Sequence, residues 1–495
     1  MNTIKISAIC IILYACAVLT NAQTYEDVLR YSQPQYSGTA RSMSMGGAFG
    51  SLGGDFSALG INPAGIATYR SSEFTLTPSL IINSTETDFS GNKLSDNKTS
   101  FVINQIGYVG TYRPMREVKK GVVSTHFAIG YNRNNNFNYK SMASGRNISS
   151  SMTDMFVTDA NGIHPDDLGG LTALAYDTYL IDIQDEANNT YTNFLYAEDK
   201  VDQTKLIEKD GYSGEFNLTT GANISNLLLI GASLNFTSMR YKENANYYEQ
   251  YSENNGEPAY DVFSQYSINN YLNASGTGVN LKFGLIIKPV SNARLGFSYH
   301  SPTWYKIEED YGSTVNASYF NHDNSEGYYD GRFDYKLNTP EKLIASAAYI
   351  IGKVAILSFD YEYINYASSK FKANSNSYQD FEFINEQNRI IKETFTATNN
   401  FRAGAEFRLN EQVSFRGGYS FQASPYKTEP FDNEITSITG GLGYRNSNYF
   451  IDLAYKLSSY DTSYYNYWYD EGIHSPETKV SAKDHYAVIT FGWKF

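Results

Sequence analysis

Cysteine is almost absent: Cys10 and Cys16 are the only two, and both fall within the first 22 residues. Those residues read as a secretory signal peptide. Lys5 supplies the positive start, Ile6 to Leu19 the apolar core, and Thr20-Asn21-Ala22 a cleavage site before Gln23. The exported chain is then cysteine-free, which excludes disulfides, a thiolate metal site and a cysteine nucleophile. Proline is scarce too, at 12 residues. Beyond the signal no run reaches about 18 apolar residues, so no transmembrane helix is expected. Positive charge is not in excess either: a formal charge of -13 argues against nucleic acid as a partner. No P-loop, dinucleotide fingerprint, zinc-ligand spacing or 20–50-residue repeat occurs.

What is abundant is aromatic. Tyr numbers 44 and Phe 29, yet mean hydropathy is -0.43. A membrane β-barrel reconciles the two, because only alternate residues face lipid and aromatic girdles mark both interfaces. Fourteen strand candidates follow one another, at 73–84, 99–112, 121–134, 212–221, 224–240, 276–289, 292–308, 329–350, 353–367, 396–408, 411–423, 435–445, 448–460 and 484–495. Most alternate apolar with polar residues and reach the length, about nine residues, that a tilted membrane strand needs. Pro340 interrupts the candidate at 329–350. The stretch 258–273 reads as a rival strand or as the upper end of one that projects beyond the membrane.

Connections alternate in length. Short ones fall at Asn223, Pro289-Val290-Ser291, Gly352, Asn410 and Asn446-Ser447. Long ones span 135–211, 241–275, 309–328, 368–395, 424–434 and 461–483. Outer-membrane barrels have this asymmetry, with tight periplasmic turns and long external loops. The final strand places Ala487, Ile489, Phe491, Trp493 and Phe495 on one face, and Phe495 is expected to serve as an assembly signal for the barrel assembly machinery.

Ahead of the strands lies a glycine-rich unit, RSMSMGGAFGSLGGDFSALGINPAGIATYR, at 41–70. Gly46, Gly47, Gly50, Gly53 and Gly54 permit positive φ and close backbone approach. Asp55 is placed to cap a helical turn over 56–59. Asn62-Pro63-Ala64-Gly65 repeats that logic, with Asn as cap and Pro at the first helical position. The expected organisation is a signal peptide at 1–22, a hatch at 23–72 and an all-β, antiparallel outer-membrane barrel at 73–495, with one large extracellular loop at 135–211.

The segment 46–69, with its Asn62-Pro63-Ala64 signature, resembles the hatch of the FadL/TodX/OmpP1 family of outer-membrane transporters for hydrophobic compounds. RYSQ at 30–33 and GTARSM at 38–43 are similar to Bacteroidetes members, some of which are called hemin receptors. The resemblance implies a fourteen-stranded barrel closed by the hatch, with passive uptake of compounds such as long-chain fatty acids and sideways exit at a kink in the third strand. Gly130 is the residue of that strand suited to a break. The expected partners are a hydrophobic small-molecule ligand and outer-membrane lipid, for a monomeric, non-enzymatic barrel with no cofactor and no metal. Two other readings stand beside it: a type IX secretion-associated barrel of the same family that binds protein, and a general porin for polar solutes.

Ligand capture would need apolar surface outside the membrane. Met152, Met155 and Phe156 cluster, and Leu168, Leu171, Leu174, Ala175, Tyr179 and Leu180 recur near helical spacing. That face either contacts ligand or packs the loop onto the barrel mouth. Asp55 with Arg41 or Arg70 is a candidate charge pair that locks the hatch, and Arg41 a candidate partner for a ligand carboxylate. The six histidines show no metal spacing. Ser124 and His126 share one strand face, as period 2 produces by chance.

Overall fold

The computed structural model describes residues 25–35, 37–114, 116, 118, 120–374, 378–428, 433–469 and 474–495. The signal peptide expected at 1–22 lies outside the described residues.

Among the described residues, fourteen strands close into one antiparallel barrel. They are β1 (Glu73–Phe89), β2 (Asn92–Tyr112), β3 (Val122–Asn136), β4 (Val201–Ile224), β5 (Leu228–Tyr251), β6 (Phe263–Val290) and β7 (Ala293–His300), followed by β8 (Lys342–Ile351), β9 (Ala355–Asn365), β10 (Ala397–Arg408), β11 (Val413–Gln422), β12 (Ile435–Arg445), β13 (Tyr449–Tyr465) and β14 (Glu477–Lys494). Each pairs with the next. β14 returns to β1, from Glu73↔Lys494 to Phe89↔Thr478, and so removes the open edge.

The two faces are those of a protein that lives in lipid. On β9, Leu357, Phe359 and Tyr363 point outward and are exposed, while Ser358, Asp360 and Glu362 point inward and are buried. On β7, Leu295, Phe297 and Tyr299 face out against inward Ser298 and His300. Apolar outside and polar inside is the reverse of a water-soluble barrel. No helix among the described residues is long and apolar enough to cross a membrane; the strands do so instead.

Several boundaries differ from the sequence reading. β1 and β2 run past the bounds read at 84 and 99, to a tight turn at Ser90 and Gly91, both with positive φ. The turn assigned to Asn223 lies at 225–227, where Ser225 and Asn226 take positive φ. The candidate 329–350 is two strands, Ser325–Asn338 and β8, parted at Thr339-Pro340-Glu341. Pro302 parts β7 from Trp304–Tyr319 in the same way, because proline cannot donate to the ladder. The two breaks are tied together: Thr303 N donates to Thr339 Oγ1 at 2.8 Å, and Thr339 N to Thr303 O at 3.1 Å.

The region 135–211 is not one loop. Tyr139–Ile148 pairs with the upper half of β4, which itself begins at Val201 and pairs with β5 as far as Tyr251. The stretch 258–273 is mostly the upper part of the 28-residue β6. At about 3.3 Å per residue these strands rise far beyond the 9–11 residues that lipid requires. They fence an outer dome.

Inside the barrel, residues 25–35 and 37–72 form α1 (Asp27–Ser32), α2 (Ala40–Ser44), α3 (Ala58–Ile61) and a 3-10 turn, Pro63–Thr68. The dome contributes α4 (Met152–Ala160) and α5 (Gly170–Asp177), and α6 (Tyr378–Thr394) lies in the connection after β9. Glu249 of β5 holds the start of α4: it accepts from the Ser151 hydroxyl and Tyr247 OH, from Gln203 Nε2 at 3.0 Å and from Met152 N at 3.4 Å. Ser151 completes a capping box with Asp154.

If the outer face meets lipid, Leu453→Arg on β13 should cost about 2–4 kcal/mol of folding stability near the bilayer midplane. Guanidinium unfolding in lipid vesicles measures it. A loss indistinguishable from that of Leu453→Ala would contradict the placement.

Candidate functional site: the hatch and the lumen it closes

Local chemistry shapes the hatch. Thr39 caps α2, its Oγ1 accepting from Ser42 N at 3.3 Å. Asn62 caps the 3-10 turn, its Oδ1 accepting from Ala64 N at 3.0 Å, with Pro63 in the first position where a missing N–H costs nothing. Gly46, Gly47, Gly53 and Gly54 all take positive φ. At Gly53 the requirement is double, since a Cβ there would also sit 2.6 Å from Gly65 O.

The hatch backbone lies directly on the barrel wall, at positions where the wall has no side chain. A Cβ at Gly418 would lie 2.3 Å from Gly46 N; at Gly404, 2.4 Å from Met45 O. On the far side, a Cβ at Gly231 would lie 2.4 Å from Pro63 O, and at Gly284, 2.0 Å from Asn62 Oδ1. The main-chain donors exposed by this fit find wall acceptors. Asp360 takes Phe49 N at 3.1 Å and Gly50 N at 3.0 Å. Asn62 Nδ2 gives to Gly50 O at 2.7 Å and to the wall carbonyls of Leu285 and Phe297 at 3.2 and 3.3 Å. Ala40 N gives to Thr490 Oγ1 at 2.7 Å. Apolar contact fills the rest: Phe56, Leu59 and Ile66 against Val109, Leu229 and Ile286, and Met45, Phe49 and Ile61 against Ile344, Ala348 and Ile356.

A chain of buried charges runs beneath. Arg41 Nε pairs with Glu406 at 3.0 Å, Glu406 with Arg416 at 2.9 Å, and Arg416 with Asp452 at 2.6 Å. Arg402 lies between Asp360, at 3.4 Å, and Glu362, at 3.5 Å. This corrects the expected Asp55 charge pair. Arg41 pairs with the wall's Glu406 rather than with Asp55, and its Nη1 gives to Gly54 O at 3.3 Å. Asp55 accepts instead from Thr39 Oγ1 at 2.7 Å and Ser57 N at 2.9 Å, while Arg70 is exposed.

Gly130 is not a break. It is paired on both sides, to Gly107 and to Asn217, and a Cβ there would meet Phe56 at 2.4 Å. The register slips a little higher, between Arg133 and Asn135. Above Gln105↔Asn132 the β2–β3 ladder stops, and the upper half of β2 pairs with β1 alone. The wall therefore has a lateral discontinuity. It is bridged by side chains: Asn138 Nδ2 lies 2.7 Å from Ser100 Oγ, Asn92 Nδ2 2.7 Å from Ser144 O, and Lys98 and Lys140 pair with Asp210 at 2.8 Å and Asp96 at 3.7 Å.

The capture face is largely consumed by packing. Met152, Phe156 and Leu174 are buried in the dome with Phe263, Tyr247 and Tyr266, and Met155 and Leu171 pack partly against them. Tyr179 alone of that set is exposed, at 63%. Ser124 Oγ and His126 Nε2 are 2.8 Å apart, but the other ring nitrogen meets the Thr111 hydroxyl rather than a carboxylate. Phe495 is exposed, its amide giving to Ser72 O at 3.0 Å.

The sequence reading missed Asp360, Arg402, Glu406, Arg416 and Asp452. Their signal was present: each is a charged residue on the inward face of a strand whose other face is apolar. Above the hatch the lumen keeps two chambers of mixed polar and apolar lining. The upper, about 560 Å³, is lined by Tyr139, Tyr241, Tyr460 and Tyr486 among others. The lower, about 130 Å³, lies between hatch, α1 and the wall from β3 to β9.

A closed barrel with an apolar belt, a plug clamped within it and chambers above the plug is an outer-membrane transport barrel. The chain belongs to the family of outer membrane protein transport proteins (OMPP1/FadL/TodX), whose model matches residues 184–494. The hatch lies outside the matched stretch. Among solved structures it is similar to a FadL homologue of Pseudomonas aeruginosa, at 12% identity over 94% of this chain and 100% of that one, with a TM-score of 0.56. It is also similar to the toluene transporter TodX of Pseudomonas putida, at 14% identity over 92% and 98%, with a TM-score of 0.53. These likenesses show the fold. No curated protein matches.

Two adjacent glycines test the clamp. Gly418→Ala puts a methyl on the hatch backbone, whereas Gly417→Ala meets nothing closer than 3.9 Å. Both variants should keep heat-modifiable migration on gels. Only Gly418→Ala should raise single-channel conductance in planar bilayers; equal behaviour would contradict close seating of the hatch.

Proposed function

We propose that this barrel takes up small, largely hydrophobic compounds passively across the outer membrane, with the hatch as its gate and the gap between β2 and β3 as the way out. The observation that carries this is the pairing of a main-chain-clamped plug with a wall discontinuity beside the chambers above it. A ligand that cannot pass the plug has a route into the bilayer, and an apolar ligand gains about 25 cal/mol per Å² on leaving water. The names of the structural neighbours, which include a toluene transporter and a FadL homologue, support the direction of the reading. Asn62 and Pro63 mark where the plug yields, since Asn62 alone ties the 3-10 turn to Gly50 and to two wall strands.

The polar side chains that share the lining of both chambers, such as Gln33, Gln35 and Asn135, favour a second reading, a porin for polar solutes. Proteoliposomes separate the two. On the first reading native barrels accelerate toluene entry with little ion conductance, and Asn62→Ala with Pro63→Ala raises conductance several-fold while heat-modifiable folding survives. Steady conductance of the native barrel with no acceleration of toluene would contradict it. Loss of folding in the double variant would make the motif a folding element and refute the gating role.

A further inference from the structure

Three lysines stand side by side on the outside of the barrel, where the lipid-facing pattern ends. The register sets Lys306 opposite Lys336, and Lys336 opposite Lys372 on the short strand Lys370–Ala373. All three are exposed. The row immediately below them is apolar: Phe216 stands opposite Phe236, Phe236 opposite Val279, and Val279 opposite Trp304. Phe216, Phe236 and Trp304 are exposed, while their strand neighbours Asn217, Thr237 and Tyr305 are buried, so the rings lie on the lipid side. Leu218, Leu234 and Leu281 continue that side one row further down. A tryptophan between an apolar belt and a row of lysines marks the membrane boundary.

Like charges directly opposite on neighbouring strands, with Cβ atoms about 4.5–5.5 Å apart, are destabilising. The wall does little to relieve them. Lys306 reaches Glu308 at 3.3 Å, but Glu308 is shared with Arg332 at 2.9 Å. Lys336 and Lys372 form no ion pair among the described residues. The two rows border one open groove of about 750 Å³, with the lysines along its upper side, the rings along its lower side and no acidic residue in its lining.

We infer that this groove binds an anionic lipid of the outer leaflet, with its phosphate on the lysine row and an acyl chain along the rings. Charge complementarity and position select this occupant. A phosphate set between adjacent ammonium groups turns their repulsion into attraction, and lysine serves phosphate as a point charge. The lysine stems lie along apolar surface while their heads reach the polar layer. A soluble anion uses the lysines and ignores the rings; a neutral lipid does the reverse. Lys306, Lys336 and Trp304 all belong to the pair of strands that begins after Pro302 and ends before Pro340. A lipid bound here therefore ties that pair, and the dome it fences, to the leaflet.

Native mass spectrometry of the full barrel in detergent tests this with monophosphoryl lipid A, the same lipid without phosphate, and inorganic phosphate. The phosphorylated lipid should bind, and its Kd should rise about tenfold or more when Lys336→Gln and Lys372→Gln are combined. Lys336→Arg with Lys372→Arg should keep most of the affinity, and Lys336→Gln alone serves if the neutral pair does not fold. Lys479→Gln with Lys483→Gln, which removes two exposed lysines from β14, should change nothing. Trp304→Ala should weaken the phosphorylated lipid without affecting inorganic phosphate. Equal binding of the phosphate-free lipid, or undiminished binding to the neutral pair, overturns the headgroup site. A loss matched by the β14 variant reduces the effect to net charge and overturns it as well. Inorganic phosphate that displaces the lipid at equal concentration overturns the assignment to a lipid.

Discussion

The approach of one backbone to another, hatch against wall, is the constraint on which the rest of this molecule depends. Where Gly404 and Gly418 stand on β10 and β11, and Gly231 and Gly284 on β5 and β6, any side chain would collide with residues 45–64. The fit lets hatch amides reach wall acceptors, above all the Asp360 carboxylate at Phe49 and Gly50. A backbone donor left unpaired there would be a standing cost, so each such bond matters more by its loss than by its net contribution of about 0.5–1.5 kcal/mol. A plug held by many modest polar contacts is suited to being lifted.

The buried ions serve a different end. Arg41, Glu406, Arg416 and Asp452 join the hatch to three wall strands through contacts of 2.6 to 3.0 Å. Ion pairs taken from water repay little of their desolvation, but a misplaced partner leaves a charge unmet and costs several kcal/mol. Their effect is to make one seating of the hatch far better than its neighbours.

Much of the fold was legible in the chain, for reasons that can be named. Alternation exposed the fourteen strands because lipid on one side and a polar lumen on the other force period 2. The positive φ of Gly46 and Gly53, and the Asn62 cap with Pro63 behind it, are local chemistry and were readable as such. Upper strands were harder. Val201 to Gly211 has water on one side and a dome on the other, so its pattern carries no lipid signature and read as loop. Pairings across hundreds of residues were invisible: nothing near Arg41 points to Glu406, and Gly418 looks like any weak point in a strand until Gly46 is found against it. The apolar run at 152–180 was ambiguous by nature, since a capture face and a packing face are written with the same residues; in the structure the dome takes most of it.

Amide hydrogen exchange on the native barrel in nanodiscs measures the clamp most directly. Phe49, Gly50 and Ala64, bonded to Asp360 and Asn62, should exchange as slowly as the strand amides of β9 and β11. They should be released together, without the strands, in Gly418→Ala. Exchange of these three amides at the rate of an unstructured peptide in the native barrel would contradict a hatch held by its backbone.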